Sequence, residues 1–477
     1  MTAVAVPAVE LTLAGTPLPA TVRVVAVRVA ARFNAPTQCE VTLEPELPAG
    51  ATIGAPLQVR VAGERAVLFD GDVTCVELSQ TTAGTSTARL RGYDRVHRLR
   101  SRQTLRVFEN VSATELARIL AGEVDGPDTP TFARVVQHRQ SDFELLVETA
   151  ARGGYLVASH GAELRLTTLA GDGEPVPLRF GDTLLACGVE GNADRAARRV
   201  TALGWDADLA APLRAQASGA RSGRRSGLAV PDGGELSLVA QAGTELAGTA
   251  QLALDLRVAG EVVLRGTATG DGRLRPGTPV TVDGAGSIAD GTHVVTEVVH
   301  QLDRDGYTST FTTQPPDLPR PAAGCAITLG QVTAVDDPDR RGRVRVSLPA
   351  LGGADAGWLG VLCPGAGRDK GLVALPGVDD TVAVALPHGD PGAGLVLGSL
   401  YGAIAPPDPG IWSLRTPGGQ TVVLDDSAHT LRLSNKDGSA VELAPDKVRL
   451  TAVTDLVIDA AGHGLTIRAA TVDFQNA

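Results

Sequence analysis

The sequence predicts a mainly β protein: two β-barrels with small helical insertions, an OB-fold barrel and a C-terminal triple-stranded β-helix needle, in a trimeric assembly. Three observations predict this class. Gly and Pro account for 56 and 30 of the 477 residues, whereas aromatic residues make up only 3%, which is typical of turn-rich β structure. Strand-like segments recur in the first two thirds of the chain, and pairs of apolar residues recur near its end. The length also exceeds what one hydrophobic core supports, so we expect several domains.

An internal repeat indicates two similar β-barrels. Each copy has a strand-like segment, then an Asp-Gly pair and two more alternating segments, at residues 56–63, 70–71, 73–78 and 85–90 and again at 279–284, 290–291, 294–298 and 307–311. Alternating strands separated by Asp-Gly turns are typical of antiparallel barrels. We therefore predict a first barrel over residues 1–105 and a second over residues 166–318.

Two capping-box patterns predict helices between the barrels. Ser112 precedes Glu115 by three residues, and Ser141 precedes Glu144 in the same way, each before an amphipathic run. We predict a helical and mixed segment over residues 106–165 that braces the first barrel. Residues 207–258 are rich in Ala, Gly and Ser, and we interpret them as a loop-rich insertion in the second barrel.

A proline-rich stretch at residues 315–321 indicates a domain boundary. The following domain, residues 325–402, contains five short alternating segments punctuated by Gly and Pro, at residues 326–335, 343–348, 357–362, 371–375 and 381–386. Five strands in such a short span are what a small OB-type barrel requires.

The sharpest pattern lies in residues 411–477, where pairs of apolar residues bracket a single residue and recur every seven to ten positions. Strands this short cannot bury an apolar face alone, and they leave open edges. Intertwining of identical chains in a closed cyclic oligomer removes both problems. We predict that a trimeric needle core is formed by Val422, Leu424, Leu431, Leu433, Val441, Leu443, Val448, Leu450, Leu456, Ile458, Leu465, Ile467, Val472 and Phe474.

Several motifs resemble those of a known family. The segments RGYDRVHRL (91–99), QSDF (140–143), GWD (204–206) and LRPG (274–277) resemble the phage late control D family, the hub of contractile-tail spikes. The OB segment is similar to that of VgrG and phage baseplate proteins at GQV (330–332), GRV (342–344), PG (376–377), GDP (389–391) and VLGSL (396–400). The chain thus resembles a VgrG-like spike protein of a contractile injection system, of the extracellular or phage-tail-like kind.

This resemblance implies a function and a set of partners. The two barrels of each chain become hub barrels, and three chains present six of them to a hexameric inner tube. The needle becomes a membrane-puncturing tip that contacts the target membrane transiently. Its end would dock a PAAR-type tip protein through Phe474, Gln475, Asn476 and Ala477. The other implied partners are inner tube and baseplate proteins and an effector cargo. We expect synthesis and assembly in the cytoplasm, without a signal peptide or transmembrane segment, as part of an injection particle.

Other functional classes are less well supported. The formal charge of −11 argues against nucleic acid as a partner. The five cysteines are far apart and form no C-x-x-C motif, so we expect no disulfide framework or zinc site, and no cofactor. His429 and His463 flank turns, and we interpret them as exposed side chains rather than metal ligands.

No catalytic site is predicted, so we do not expect an enzyme. Residues 365–371 lack the spacing of a phosphate-binding loop, and residues 219–227, read as a mobile basic loop, lack that of a nucleophile elbow. Two alternatives remain open. An envelope-degrading tail enzyme would need an active cleft within residues 207–258, and a host-binding fibre would need an aromatic-rich sugar-binding head.

Overall fold

The computed structural model describes residues 8–45, 47–64, 67–80, 82, 86–161, 163–206, 211–221, 223, 225–227, 234–239, 246–318, 324–402, 405–406 and 410–475. It divides into two compact units, Met1–Leu400 and Tyr401–Ala477, and each is described by itself. Among the described helices, none is long and apolar enough to cross a membrane.

The first unit contains 27 strands and three α-helices among its described residues. The helices are α1 (Ala113–Ala121), α2 (Asp142–Gly153) and α3 (Leu246–Ala259). The strands are β1 (Val9–Leu13), β2 (Thr16–Pro17), β3 (Arg23–Arg32), β4 (Gln38–Glu44), β5 (Pro56–Val61), β6 (Val67–Gln80), β7 (Ser86–Asp94), β8 (Arg106–Ser112), β9 (Val124–Asp125), β10 (Thr131–Gln137), β11 (Leu156–His160), β12 (Glu163–Thr167), β13 (Val176–Arg179), β14 (Leu184–Gly191), β15 (Arg199–Asp206), β16 (Ala211–Ala217), β17 (Glu235–Val239), β18 (Val262–Thr269), β19 (Pro279–Asp283), β20 (Gly291–Val294), β21 (Glu297–Asp303), β22 (Gly306–Thr312), β23 (Cys325–Ala334), β24 (Val344–Leu348), β25 (Ala354–Val361), β26 (Thr381–Pro387) and β27 (Leu395–Leu400).

One eleven-stranded sheet runs through both segments predicted as barrels. Its order is β14-β18-β22-β21-β3-β4-β7-β6-β5-β1-β2, and the pairing of β21 with β3 joins the two halves. A core that includes Val41 and Leu90 lies in the first half, and another that includes Leu264 and Phe311 lies in the second. The mainly β class is therefore confirmed, while the domain limits 1–105, 106–165 and 166–318 stay predictions.

The Asp70-Gly71 pair does not form the turn that the sequence pattern predicts, because it lies inside the long strand β6. A Cβ atom at Gly71 would lie 2.1 Å from the carbonyl oxygen of Tyr93 on β7. Glycine is thus required there for the close approach of two strands. In the second copy the corresponding stretch is interrupted after Val294, so β20 and β21 belong to different sheets.

Both predicted capping boxes are confirmed. The Ser112 and Ser141 side chains accept hydrogen bonds from the backbone N–H groups of Glu115 and Glu144, whose carboxylates accept from the serine N–H groups in return. One residue of the predicted apolar face differs, since Ile119 is 58% exposed. The sequence pattern predicts that Ile119 lies on the apolar face together with Leu116 and Leu120, but of these three residues only Leu116 and Leu120 are buried.

The segment predicted as a loop-rich insertion contains regular structure in its described part. Strands β16, β15 and β17 form a three-stranded sheet, and α3 packs against it through Leu246 and Leu254. Helix α3 has apolar residues all round rather than an amphipathic stripe, because it lies between this sheet and α2. That is why helical periodicity fails to reveal it.

The OB barrel is confirmed as a closed barrel of five strands, in the order β23-β24-β25-β27-β26. The fifth strand is β27, not the predicted segment at residues 371–375. In that segment the Leu372 N–H donates to the Pro364 carbonyl oxygen at 3.0 Å, which makes a local loop, and Val373 is 76% exposed. The strand predicted at residues 371–375 is therefore wrong, because a short apolar segment that follows a glycine can also form an exposed loop.

Arg134 of β10 joins the OB barrel to the rest of the first unit. Its guanidinium donates to the Asp355 carbonyl oxygen on β25 and to the Glu109 carboxylate on β8, each at 2.6 Å. The OB barrel is therefore held against the β8–β10 pair by a charged side chain.

Candidate functional site

The described part of the second unit contains one antiparallel sheet of five strands in chain order. They are β28 (Trp412–Arg415), β29 (Thr421–Asp425), β30 (Thr430–Ser434), β31 (Ala440–Leu443) and β32 (Val448–Thr451). Tight turns join them, including one in which the Asp425 carboxylate accepts hydrogen bonds from the N–H groups of Ser427 and Ala428. Each strand is thus a short alternating segment, as the sequence pattern predicts.

The pairing register places ten apolar residues on one face of this sheet. Residues directly opposite in neighbouring strands point to the same face. Two columns therefore cross all five strands: Trp412, Leu424, Leu431, Leu443 and Val448 in one, and Leu414, Val422, Leu433, Val441 and Leu450 in the other. We call these ten residues the apolar columns.

The opposite face of the sheet is largely polar. Arg432 and Glu442 are opposite each other and form an ion pair at 3.5 Å. The Thr421 and Ser434 hydroxyls form a hydrogen bond of 2.6 Å. The sheet is therefore amphipathic, with a single apolar face.

The apolar columns are uncovered within one chain. None of residues 410–475 is buried, and Val448 and Trp412 are 72% and 78% exposed. Contiguous apolar surface of this kind is rare on a soluble monomer and marks an interaction surface. The face is thus incomplete in the isolated chain.

The structure brings together eight of the fourteen residues predicted for the needle core, namely the first four pairs. Trp412 and Leu414 were not predicted as core residues. They also bracket a single residue, one strand earlier, so the same sequence pattern could have identified them. The last three pairs lie in residues 452–475, where no strand is described, and Leu456, Ile458, Leu465, Ile467, Val472 and Phe474 are all more than half exposed. Of the tip residues, Asn476 and Ala477 lie outside the described residues.

Several charged side chains of the first unit serve structural roles. Glu115 caps a helix, and Glu109 pairs with Arg134. The predicted mobile basic loop is wrong for two of its arginines, because Arg221 binds buried Asp255 and Arg225 lies 3.5 Å from buried Glu261. Arg224 lies outside the described residues.

The predicted surroundings of the two needle histidines can be compared with the described residues. His429 and His463 are both exposed beside turns, and no cluster of three or more His, Cys, Asp or Glu side chains is placed to hold a metal ion. All five cysteines are free.

Comparison with known proteins defines the class. Residues 328–401 match the family model described as the type VI secretion system and phage-baseplate injector OB domain. This confirms the predicted resemblance to VgrG-like spikes over the OB domain, residues 328–401. Its similarity supports a role as a tail hub or spike within a tail-associated particle. No curated protein matches the sequence.

Solved structures share the fold. One is an Escherichia coli component of the type VI secretion system, described as structurally similar to the T4 bacteriophage tail proteins gp27 and gp5. It is 14% identical, with a TM-score of 0.56 over 82% of this chain and 100% of that one. Another is the lidded PdpA-VgrG complex of Francisella, 7% identical, with a TM-score of 0.57 over 94% of this chain and 81% of that one.

A second family model covers the region that precedes the OB domain. The model of the Alg8 N-terminal domain matches residues 61–304, just over half of the chain. The chain therefore belongs to the Alg8 N-terminal domain family.

Proposed function

We propose that this chain is the central spike, hub and needle together, of a contractile phage-tail-like injection system. Three copies would adapt a hexameric inner tube to a trimeric membrane-puncturing tip. The observation that carries this proposal is the amphipathic sheet of the second unit, whose ten-residue apolar face is uncovered in a single chain.

A second and third copy of the chain are the occupants of this face that we propose. The apolar columns continue as regularly spaced pairs to Phe474, so the segment needs a partner with the same period along its whole length. An identical chain supplies that period, and closed cyclic symmetry lets each copy cover the next. A dry axis lined by the columns would give a stiff needle.

The hub supports the same stoichiometry. Each chain contributes two halves of one sheet, each with its own core. Three chains would present six such halves, which allows a threefold spike to meet a sixfold tube.

We propose that the needle end docks a PAAR-type tip protein. Phe474 is 90% exposed, and Gln475 is described next to it, while Asn476 and Ala477 complete the proposed surface. The Francisella VgrG is solved in a complex with PdpA, and this chain would likewise bind tube, baseplate and cargo proteins. The particle would contact the target membrane only when it fires.

We further propose that the chain acts mechanically and not as an enzyme. The matched OB family is described as an injector domain of type VI secretion systems and phage baseplates, which supports a mechanical role. A peptidoglycan zymogram of the purified chain should stay blank, and a clearing band that survives removal of contaminants would contradict this part of the proposal.

A matched pair of substitutions tests the needle. Leu456 and Ile458 are predicted to face the axis, whereas Val457 between them alternates away from it. Ile458→Asp or Leu456→Asp would place three unpaired carboxylates around a dry axis, which is strongly unfavourable. We expect full-length chains with either of these substitutions to run as 48.9-kDa monomers in light scattering, while Val457→Asp stays a trimer. Trimers from all three variants would refute the needle assignment.

A further inference from the structure

The loop between β18 and β19 fastens the second half of the large sheet to the first half. We call residues 270–278 the clasp. The Gly272 N–H donates a hydrogen bond to the Glu64 carboxylate, which follows β5, and an added Cβ atom at Gly272 would lie 2.7 Å from that carboxylate. The Arg275 guanidinium donates to the Val67 carbonyl oxygen, at the start of β6, at 3.4 Å. Both contacts join the clasp to the first half of the sheet.

A buried histidine of β21 holds the clasp from inside. The His300 ring is 3% exposed, and its Nε2 atom lies 3.0 Å from the Leu274 carbonyl oxygen of the clasp. Its Nδ1 atom lies 2.9 Å from the Ser309 hydroxyl and 3.2 Å from the Tyr307 hydroxyl. Because a carbonyl oxygen only accepts hydrogen bonds, Nε2 carries the ring proton and Nδ1 accepts from the hydroxyls. His300 is therefore neutral in this arrangement.

A second histidine faces the same arginine of the clasp. His160 ends β11, is half-buried, and lies beside the Val67 carbonyl group. Its ring interacts with the charges of Arg275 and His300. Burial, followed by the charge of Arg275, lowers the pKa of His160 to about 4, and burial lowers the pKa of His300 to about 4. Three basic side chains thus converge where β6, β11 and the clasp meet.

The charged side chains around the two histidines already balance one another. The four carboxylates and four guanidiniums are those of Glu64, Asp70, Glu163, Asp271, Arg95, Arg165, Arg273 and Arg275. Burial raises the pKa of the neighbouring Tyr307, so this phenol stays neutral. A proton on either histidine therefore adds a positive charge beside Arg275, and no described carboxylate of this group is left to compensate it.

We propose that the clasp is an acid-sensitive fastening of the hub, which is released from Glu64 and Val67 when His300 and His160 take up protons. A protonated His300 must donate from both ring nitrogens, so it can no longer accept from the two hydroxyls. The added charge also repels the half-buried guanidinium of Arg275, and this repulsion is poorly screened away from water.

The release is local because the two halves of the sheet remain joined elsewhere. β21 and β3 pair through six residue pairs, from Glu297 opposite Arg32 to Leu302 opposite Val27, and none of these residues belongs to the clasp. A loop fastened by a few polar contacts opens at a lower free energy than a paired sheet. Acid should thus open the clasp before it unfolds the hub.

The pKa values of the two histidines give the direction and the size of the effect. In the released clasp each histidine has its ordinary pKa of about 6.5, against about 4 in the closed clasp, so release takes up protons as the pH falls from 6.5 to 4. The closed clasp is fully favoured above this range. From pH 7 to pH 5, each histidine should raise the equilibrium constant for release about 20-fold, and the two together about 400-fold.

Hydrogen exchange of the full chain, followed by mass spectrometry at pH 7 and pH 5, measures this release. The protection factors are corrected for the pH dependence of the chemical exchange rate. We expect protection within residues 270–278 to fall about 400-fold, including that of the Gly270 N–H, which donates to the Tyr307 carbonyl oxygen at 2.9 Å. Amides of β3 and β4 should keep their protection.

Glutamine variants test the role of the histidines, because glutamine keeps a donor and an acceptor but takes up no proton. His300→Gln and His160→Gln should each leave a fall of only about 20-fold, and the double variant should show none. The matched control is His463→Gln, which changes an exposed histidine of the second unit and should behave like the unmodified chain.

Three results would overturn the proposal. The first is equal protection of the clasp at both pH values in the unmodified chain, which needs no variant to fold. The second is a parallel loss in β3 and β4, because the whole hub would then respond to acid. The third is an undiminished fall in the double variant, which would assign the response to other groups. None of these results depends on the proposed trimer, because every contact of the clasp named above lies within one chain.

Discussion

The joint between the OB barrel and the hub depends on Arg134, and replacing this residue should loosen it. The Arg134 side chain is only 17% exposed. Besides its two hydrogen bonds, it packs beside Gly357 and Gly392, where added Cβ atoms would lie 2.7 and 3.6 Å from it. Arg134→Ala would remove both bonds and leave a void between the two domains.

The size of the effect follows from the two contacts. A hydrogen bond that involves a charged group contributes about 1.5–3 kcal/mol, and the bond to the Asp355 carbonyl oxygen is of this kind. The Glu109 carboxylate is 53% exposed, so its ion pair contributes about 1 kcal/mol or less. We therefore expect Arg134→Ala to lower the free energy of unfolding by about 1.5–4 kcal/mol.

Denaturant unfolding measures this loss, followed by the fluorescence of Trp358, which lies on β25 of the OB barrel, in a background where Trp205 and Trp412 are replaced by Phe. Glu109→Gln serves as the matched control, since it removes only the exposed ion pair and should cost about 1 kcal/mol or less. Equal unfolding curves for Arg134→Ala and the wild-type chain would refute the assignment of Arg134 as the joint.

Two further predictions concern the hub. Gly71→Ala should prevent the hub from folding, because its Cβ would lie 2.1 Å from the Tyr93 carbonyl oxygen, while Gly219→Ala, with open space around it, should fold normally in circular dichroism. Burial, reinforced by the charge of Arg275, lowers the pKa of His300 to about 4, so the folded hub holds this histidine neutral. Since an unfolded histidine has a pKa of about 6.5, its contribution to stability should fall by about 3 kcal/mol from pH 6.5 to 4. His300→Gln should flatten the pH profile of unfolding over that range, and an identical profile would contradict the assignment.

Local signals in the sequence predicted the elements that depend on local physics. The Ser112 and Ser141 caps need only a side chain and a backbone group three residues away, and the structure has both. The apolar pairs from Val422 to Leu450 fall on one face because alternation decides the face of a strand.

Elements that depend on distant contacts could not be predicted in this way. The Asp-Gly pattern predicts a turn at Gly71, because the sequence does not reveal that the Tyr93 backbone of the neighbouring strand lies against this residue. Helix α3 lacks an amphipathic stripe because it packs on more than one side. The merging of both halves into one sheet depends on the pairing of β21 with β3, and most of the hub sequence separates these two strands along the chain.

The native mass of the unmodified full chain, measured by light scattering, tests the central claim most directly. The spike account predicts a trimer, with three times the 48.9 kDa of the single chain, because only identical neighbours supply the period that covers the apolar columns. A stable monomer of 48.9 kDa would contradict it and would mean that the columns are covered by the chain's own residues.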